Sequence, residues 1–304
     1  MGLNFQKDLY LESHQIYPPP PNFQSTKLQD RLIKKLGGHA YPFTFKMPSN
    51  APPSVTINPG PEDEGHPCGV EYFIKCFVGE SESDRSHRRS TVQLAIRRIQ
   101  YAPTKSGKQP MTIVRKDFLM SPGDLELEIS LDKQLYYHGE KIAVKCIIRN
   151  QSNKVVKKIK VAVQQNCDVS LLSGGTYRCN VASIETSEGC PINPGSGLSK
   201  VIHVIPSLES NKDRQGVALD GQMRNIETNL ASSTLLAKPE SRDIFGMVIS
   251  YTVKTKLYLG AIGGEVTAEL PFVLMHAKPD LRELMRGDSE ASVDAFRSDN
   301  VDMQ

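Results

Sequence analysis

Long stretches of this chain alternate apolar and polar residues on a period of two, and that pattern settles the fold class before any motif is considered. LELEISLD (125–132), KIAVKCIIRN (141–150), KIKVAVQQ (158–165) and KTKLYLG (254–260) all carry it. Successive side chains of an extended strand point to opposite faces, so each segment buries one face and wets the other. Short runs of this kind, separated by Asn, Gly, Ser and Pro, predict an all-β chain built from antiparallel sandwiches. Its 304 residues exceed the usual size of one core and predict two of them. The residues 150–153, Asn-Gln-Ser-Asn, read as a hairpin turn between two alternating runs, and Pro59-Gly60-Pro61 as another turn.

One segment breaks the pattern. Leu28, Leu32 and Leu36 recur at helical spacing, Thr26 and Gln29 have capping-box spacing, and Gly37-Gly38 supply a stop. A short amphipathic helix over residues 27–36 follows. Residues 101–110, YAPTKSGKQP, are rich in Pro, Gly, Ser and Lys and read as a linker. The expected organisation is a first sandwich over 1–102, a hinge over 103–112, a second sandwich over 113–279 and a polar tail over 280–304.

Composition excludes several classes. No apolar run approaches the roughly 18 residues that mark a membrane span, and the first residues lack the charge and apolar core of a secretory signal, so the expectation is a cytoplasmic protein that is not transmembrane. The formal net charge of +3 is too small to draw in nucleic acid by bulk electrostatics. Six scattered cysteines without a CxxC pair predict unbridged thiols and no metal centre. There is no GxSxG, HExxH, Walker-type loop or GxGxxG, so neither catalysis nor a cofactor is expected. His138, beside Gly139, reads as a turn residue rather than a base, and His39 and His276 read the same way.

Cations gather in three places. Arg31, Lys34 and Lys35 project from the expected helix, and Arg85, Arg88 and Arg89 form a second group. Lys157, Lys158, Lys160, Arg178, Lys254 and Lys256 form a third, in which alternation puts Lys158 with Lys160, and Lys254 with Lys256, on common faces. Guanidinium and ammonium groups so placed suit phosphate. A charged face in contact with water accounts for the same runs. Elsewhere, the polar loop within 217–234, VALDGQMRNIETNLASST, carries Asp220 and Glu227, and Arg97 lies in TVQLAIRRIQYAP (91–103). A carboxylate withdrawn from water needs a cation or hydrogen bonds.

That loop and strand, with LQDRLIKKLGGHAYPFTF (28–45), LDKQLYYHGEKI (131–142) and ELPFVLMHAKP (269–279), resemble the arrestin family over nearly the whole chain. The resemblance implies a polar core in which Arg97 pairs with Asp220, Glu227 and a tail arginine, matched here by Arg297; Glu227 stands where aspartate is more usual. It implies that Leu28, Leu32 and Leu36 share a three-element contact with a tail aromatic, matched by Phe296. It further implies receptor-phosphate contacts at Arg31, Lys34, Lys35, Arg88, Arg89 and Arg224, with Gln93 replacing a frequent arginine. Phosphoinositide headgroups would bind at the third cation group, although Gln164 replaces a basic residue there. By the same resemblance, the chain begins after the opening strands of the first sandwich.

The carboxyl end DAFRSDNVDMQ, free of a clathrin motif, is similar to that of arthropod visual arrestins. The implied function is binding of light-activated, phosphorylated rhodopsin and blockade of its G protein, with peripheral recruitment to the photoreceptor membrane. The alternatives are a non-visual arrestin acting as an endocytic adaptor for other G-protein-coupled receptors, or a generic arrestin-fold sorting scaffold.

Overall fold

The computed structural model describes residues 6–48, 50–60, 68–79, 90–96, 109–170, 175–221, 228–235, 246–260 and 263–276. The chain forms two compact units, Met1–Ala51 with Lys278–Gln304, and Pro52–Ala277.

In the first unit the expected helix is present as α1 (Lys27–Leu36). The Thr26 hydroxyl accepts from the Gln29 amide at 3.2 Å, and the Gln29 side chain accepts from the Thr26 amide at 2.9 Å. These two bonds satisfy two of the donors that a helix start leaves unpaired. Gly37 ends the helix at φ 91°, a conformation that costs a residue with a Cβ. Gln29 also donates to Phe43 O and Thr44 Oγ1, both at 3.2 Å, which ties the following segment to the helix. None of the ten helical residues is buried, and Leu28 and Leu36 are 41% and 50% exposed.

The second unit is all β. Its first strands are β1 (Val55–Ile57), β2 (Gly69–Val70), β3 (Tyr72–Cys76) and β4 (Ser90–Leu94). Then come β5 (Met111–Lys116), β6 (Leu125–Leu131), β7 (Leu135–Tyr137), β8 (Ile142–Asn150) and β9 (Lys158–Val169). The last are β10 (Gly175–Thr186), β11 (Ser196–Val204), β12 (Ala218–Asp220), β13 (Met247–Tyr258) and β14 (Glu265–Met275). A five-stranded sheet, β10-β9-β13-β14-β7, and a four-stranded sheet, β11-β8-β6-β5, make the sandwich. The smaller sheets are β12-β1-β2 and the β3-β4 pair.

The alternation read from sequence appears directly as burial. Leu125, Leu127, Ile129 and Leu131 of β6, Ile142, Val144, Cys146 and Ile148 of β8, and Val253 and Leu257 of β13 all face the core. Burial pushes the Cys146 thiol up to about 11 and the Cys167 thiol up to about 12, so both stay protonated and inert at neutral pH. Among the described residues no helix is long and apolar enough to cross a membrane.

One sequence expectation fails. The residues 150–153 do not close a hairpin: β8 lies in the four-stranded sheet and β9 in the five-stranded one, so the chain crosses here between layers. The buried Asn150 side chain builds the corner. It donates to Lys154 O at 2.7 Å and Ile192 O at 3.1 Å, and accepts from the Ser152 hydroxyl at 2.7 Å. Side-chain bonds thus replace the cross-strand bonds that a hairpin would supply.

Candidate functional site

Asp220 is the last residue of β12 and is only 7% exposed. Three strands bring its partners together. β7 and β14 pair in parallel with Tyr137 opposite Met275, and the His138 amide extends the pairing by donating to Met275 O at 3.0 Å. The next residue on each strand is therefore His138 and His276, and their rings lie 4.6 Å apart. β12 arrives beside them because the buried Gln165 of β9 grips it. Gln165 donates to Ala218 O at 2.9 Å and accepts from the Ala218 amide at 2.8 Å.

Gln165 is held in turn by Tyr251. The Gln165 side chain donates to the Tyr251 hydroxyl at 2.8 Å, which donates to Ala231 O at 2.6 Å. Burial pushes the Tyr251 hydroxyl up, so it remains a donor. The segment 228–235 then runs beside β12, with Ala231 N–H bonded to Ala218 O at 2.9 Å, and delivers Ser232 to the carboxylate.

The result is a chain of hydrogen bonds converging on Asp220. Ser232 N–H donates to Oδ1 and its hydroxyl to Oδ2, both at 3.1 Å. His276 Nε2 lies 2.5 Å from Oδ2, and His138 Nε2 lies 3.0 Å from the Ser232 hydroxyl. A carboxylate is acceptor-only when ionised, so His276 Nε2 donates. Among the described residues, Ser232 and His276 supply the hydrogen bonds that satisfy the buried carboxylate.

Of the acidic and basic residues expected to form a polar core, Asp220 is described; Arg97, Glu227 and Arg297 lie outside the described residues. The reading of His138 as a turn residue beside a glycine is right for the backbone. It misses the side chain, as does the same reading of His276. No local pattern in the sequence announces a parallel pairing between distant strands, which is what brings the rings together.

The third cation group lies on the outer face of the five-stranded sheet. Lys256 is opposite Lys160, Lys254 opposite Ala162 and Arg178 opposite Asn166, so Lys158, Lys160, Arg178, Lys254 and Lys256 share that face; Lys157 is exposed just before β9. The face is not purely cationic. Lys158 pairs with Glu185 at 3.0 Å, Lys254 with Glu269 at 2.6 Å and Lys256 with Glu265 at 2.8 Å. The Glu265 carboxylate holds the Lys256 ammonium above the ordinary lysine range. Gln164 shares the face, opposite Thr252.

On α1, Arg31, Lys34 and Lys35 are all exposed and fall on one side at three- and four-residue spacing. The two lysines occupy the last turn, where cations suit the helix dipole. Leu32 is half-buried, and Leu28 and Leu36 are open. Arg85, Arg88, Arg89, Arg224 and Phe296 lie outside the described residues.

Comparison with known proteins identifies the family of the chain. The N-terminal domain of arrestin (or S-antigen) matches residues 1–102, and the C-terminal domain of the same family matches residues 121–279. An arrestin homolog of Heliothis virescens is 59% identical over 306 aligned residues, covering 100% of this chain and 80% of that relative. Phosrestin-2 of Drosophila melanogaster is 56% identical, covering 97% of this chain and 81% of its own length. Human beta-arrestin-2 is 47% identical, covering 92% of this chain and 68% of its own length. With both domains matched and relatives this similar along its length, the chain belongs to the arrestin family.

Proposed function

We propose that this protein is a visual arrestin: it binds light-activated, phosphorylated rhodopsin, excludes the G protein by occupying its docking surface, and so ends the light signal. The observation that carries this reading is the gradient of likeness. Identity is 56% to the Drosophila phosrestin-2 and 49% to a Limulus polyphemus arrestin named for the lateral eye, against 47% to human beta-arrestin-2. The work is steric, with no bond made or broken, and the protein acts from the cytoplasm.

In this reading the family's two domains meet at a hinge over 103–112, with a first domain over 1–102, a second over 113–279 and a regulatory tail over 280–304. Arg97 pairs with Asp220, Glu227 and Arg297 at rest, and Phe296 docks the tail on Leu28, Leu32 and Leu36. The exposed leucines of α1 support that docking, because an uncovered apolar stripe gains by burial. Receptor phosphates engage Arg31, Lys34, Lys35, Arg88, Arg89 and Arg224, and draw Arg97 out of its pairing.

The test is retention of the protein on rhodopsin-containing membranes. Binding is expected after illumination and not in the dark, and to rise when the receptor is phosphorylated. Equal retention in dark and light would refute the visual reading and leave the adaptor alternative.

Phosphoinositide headgroups bind, in the same proposal, across Lys157, Lys158, Lys160, Arg178, Lys254 and Lys256. The glutamates already paired there do not block it, since solvent-exposed ion pairs are worth only about 0–1 kcal/mol and a phosphate ester brings about −1.5 to −2 charges. Reversing Lys160, Lys254 and Lys256 together to glutamate is expected to lower retention on vesicles containing phosphatidylinositol bisphosphate by at least about tenfold. Retention on neutral phosphatidylcholine vesicles should not change. Unaltered retention on the phosphoinositide vesicles would remove the site from the proposal.

A further inference from the structure

The cluster around Asp220 has the donor set and the spacing of a transition-metal site, and we infer that His138, Asp220 and His276 bind a divalent ion of the zinc class. Each side chain offers one ligand atom, and these atoms all lie within 4.8 Å of one another. Two imidazole nitrogens and one carboxylate oxygen are a set that Zn²⁺ accepts, at about 2.0–2.2 Å from each, with water in the fourth position. Tetrahedral ligands at that range stand about 3.3 Å apart. Small side-chain rotations therefore suffice: His276 Nε2 and Asp220 Oδ2, now 2.5 Å apart, open slightly, and the wider separations close.

The surroundings are built for orientation as well as contact. Ser232 N–H fixes Asp220 Oδ1 at 3.1 Å, which leaves Oδ2 as the ligand atom. The Gln165 and Tyr251 bonds hold the strand that carries Asp220, and the β7–β14 pairing holds both histidines, so three separate segments converge on one point with little backbone freedom. Such preorganisation is what a metal site requires of its supporting groups. In the metal-free network both Nε2 atoms carry the proton. On coordination each imidazole is neutral with its proton on Nδ1, and the ion occupies the space those Nε2 protons pointed into.

The ion would tie the ends of β7, β12 and β14 together, and it would also take the carboxylate that the proposed pairing with Arg97 uses. The binding inference itself stands on the geometry alone and not on the receptor reading.

Cobalt(II) serves as a spectroscopic probe for zinc. Titrating the full chain with Co²⁺ is expected to give one equivalent of visible d–d absorption without the near-ultraviolet sulfur charge-transfer band. That absorption is then displaced by Zn²⁺. His138→Gln and His276→Gln, which keep a side-chain hydrogen-bond donor, are each expected to weaken binding by at least about tenfold, with far-ultraviolet circular dichroism unchanged. Zn²⁺ should raise the unfolding temperature of the parent and not of the variants.

Failure to bind Co²⁺ at micromolar concentration would overturn the site. So would a sulfur charge-transfer band in the unsubstituted chain, which would place the ion on cysteine thiols, or equal affinity in parent and histidine variants. The spectrum of the unsubstituted protein decides between nitrogen and sulfur ligands even if a variant folds poorly.

Discussion

Replacing Gln165 with leucine will lower the stability of the second unit by about 2–3 kcal/mol, read as a fall in the urea midpoint with little change in slope. Leucine nearly fills the volume of glutamine, so the cost is not a cavity. It comes from Ala218, whose N–H now donates to Gln165 Oε1 at 2.8 Å in a position with no solvent exposure. With leucine in place that donor has no partner, and an orphaned buried amide costs about 1–3 kcal/mol. The Ala218 carbonyl loses Gln165 but keeps the Ala231 amide at 2.9 Å, and the Tyr251 hydroxyl keeps Ala231 O at 2.6 Å. That retention caps the loss.

Gln164 provides the contrast. It precedes Gln165 on the same strand and so points to the wet face of the sheet. Gln164→Leu should change stability by no more than about 0.5 kcal/mol. Equal effects at the two positions would show that the Gln165 network does not hold β12. Because β12 ends at Asp220, the same measurement asks what keeps the carboxylate in place.

Much of this architecture is legible in the sequence, and the limits have physical causes. The helix is readable at both ends because its signals are local: Thr26 with Gln29 at the start and Gly37 at the stop act within a few residues of each other. The strand faces are readable because a period of two translates directly into burial, as LELEISLD does in β6. Which strand joins which sheet is not local. The run ending at Asn150 and the run beginning at Lys158 look like a hairpin, yet the Asn150 side chain turns the chain into the opposite layer.

The site shows the same division. Asp220 stands out in the sequence as a carboxylate in a polar loop. Its partners His138, Ser232 and His276 come from three segments united only by long-range pairing. The salt bridges on the outer sheet face depend likewise on register. Lys254 meets Glu269 because β13 and β14 align those two positions, and a slip of one residue would send the glutamate to the other face.

Exchanging Arg97 for glutamate will raise binding to light-activated but unphosphorylated rhodopsin by about tenfold or more, while binding to the phosphorylated receptor changes little. In the proposed resting state Arg97 pairs with acidic groups that include Asp220, and breaking a buried ion pair from one side costs about 3–5 kcal/mol. A tenfold shift in binding needs only about 1.4 kcal/mol, so a fraction of that cost released into the active arrangement is enough. The usual objection is that such a variant leaves Asp220 charged and unpartnered and therefore unfolds. The structure answers it: Ser232 supplies two donors and His276 a third, so the carboxylate is satisfied without a guanidinium. The expected variant is thus folded, with an unfolding temperature below that of the parent because the ion pair is lost, and with a receptor preference shifted toward light alone. The measurement is retention on illuminated membranes with and without receptor phosphorylation, parent beside variant. If phosphorylation improves binding by the same factor in both, Arg97 is not the element that senses receptor phosphate, and the switch must be sought among the helix cations Arg31, Lys34 and Lys35.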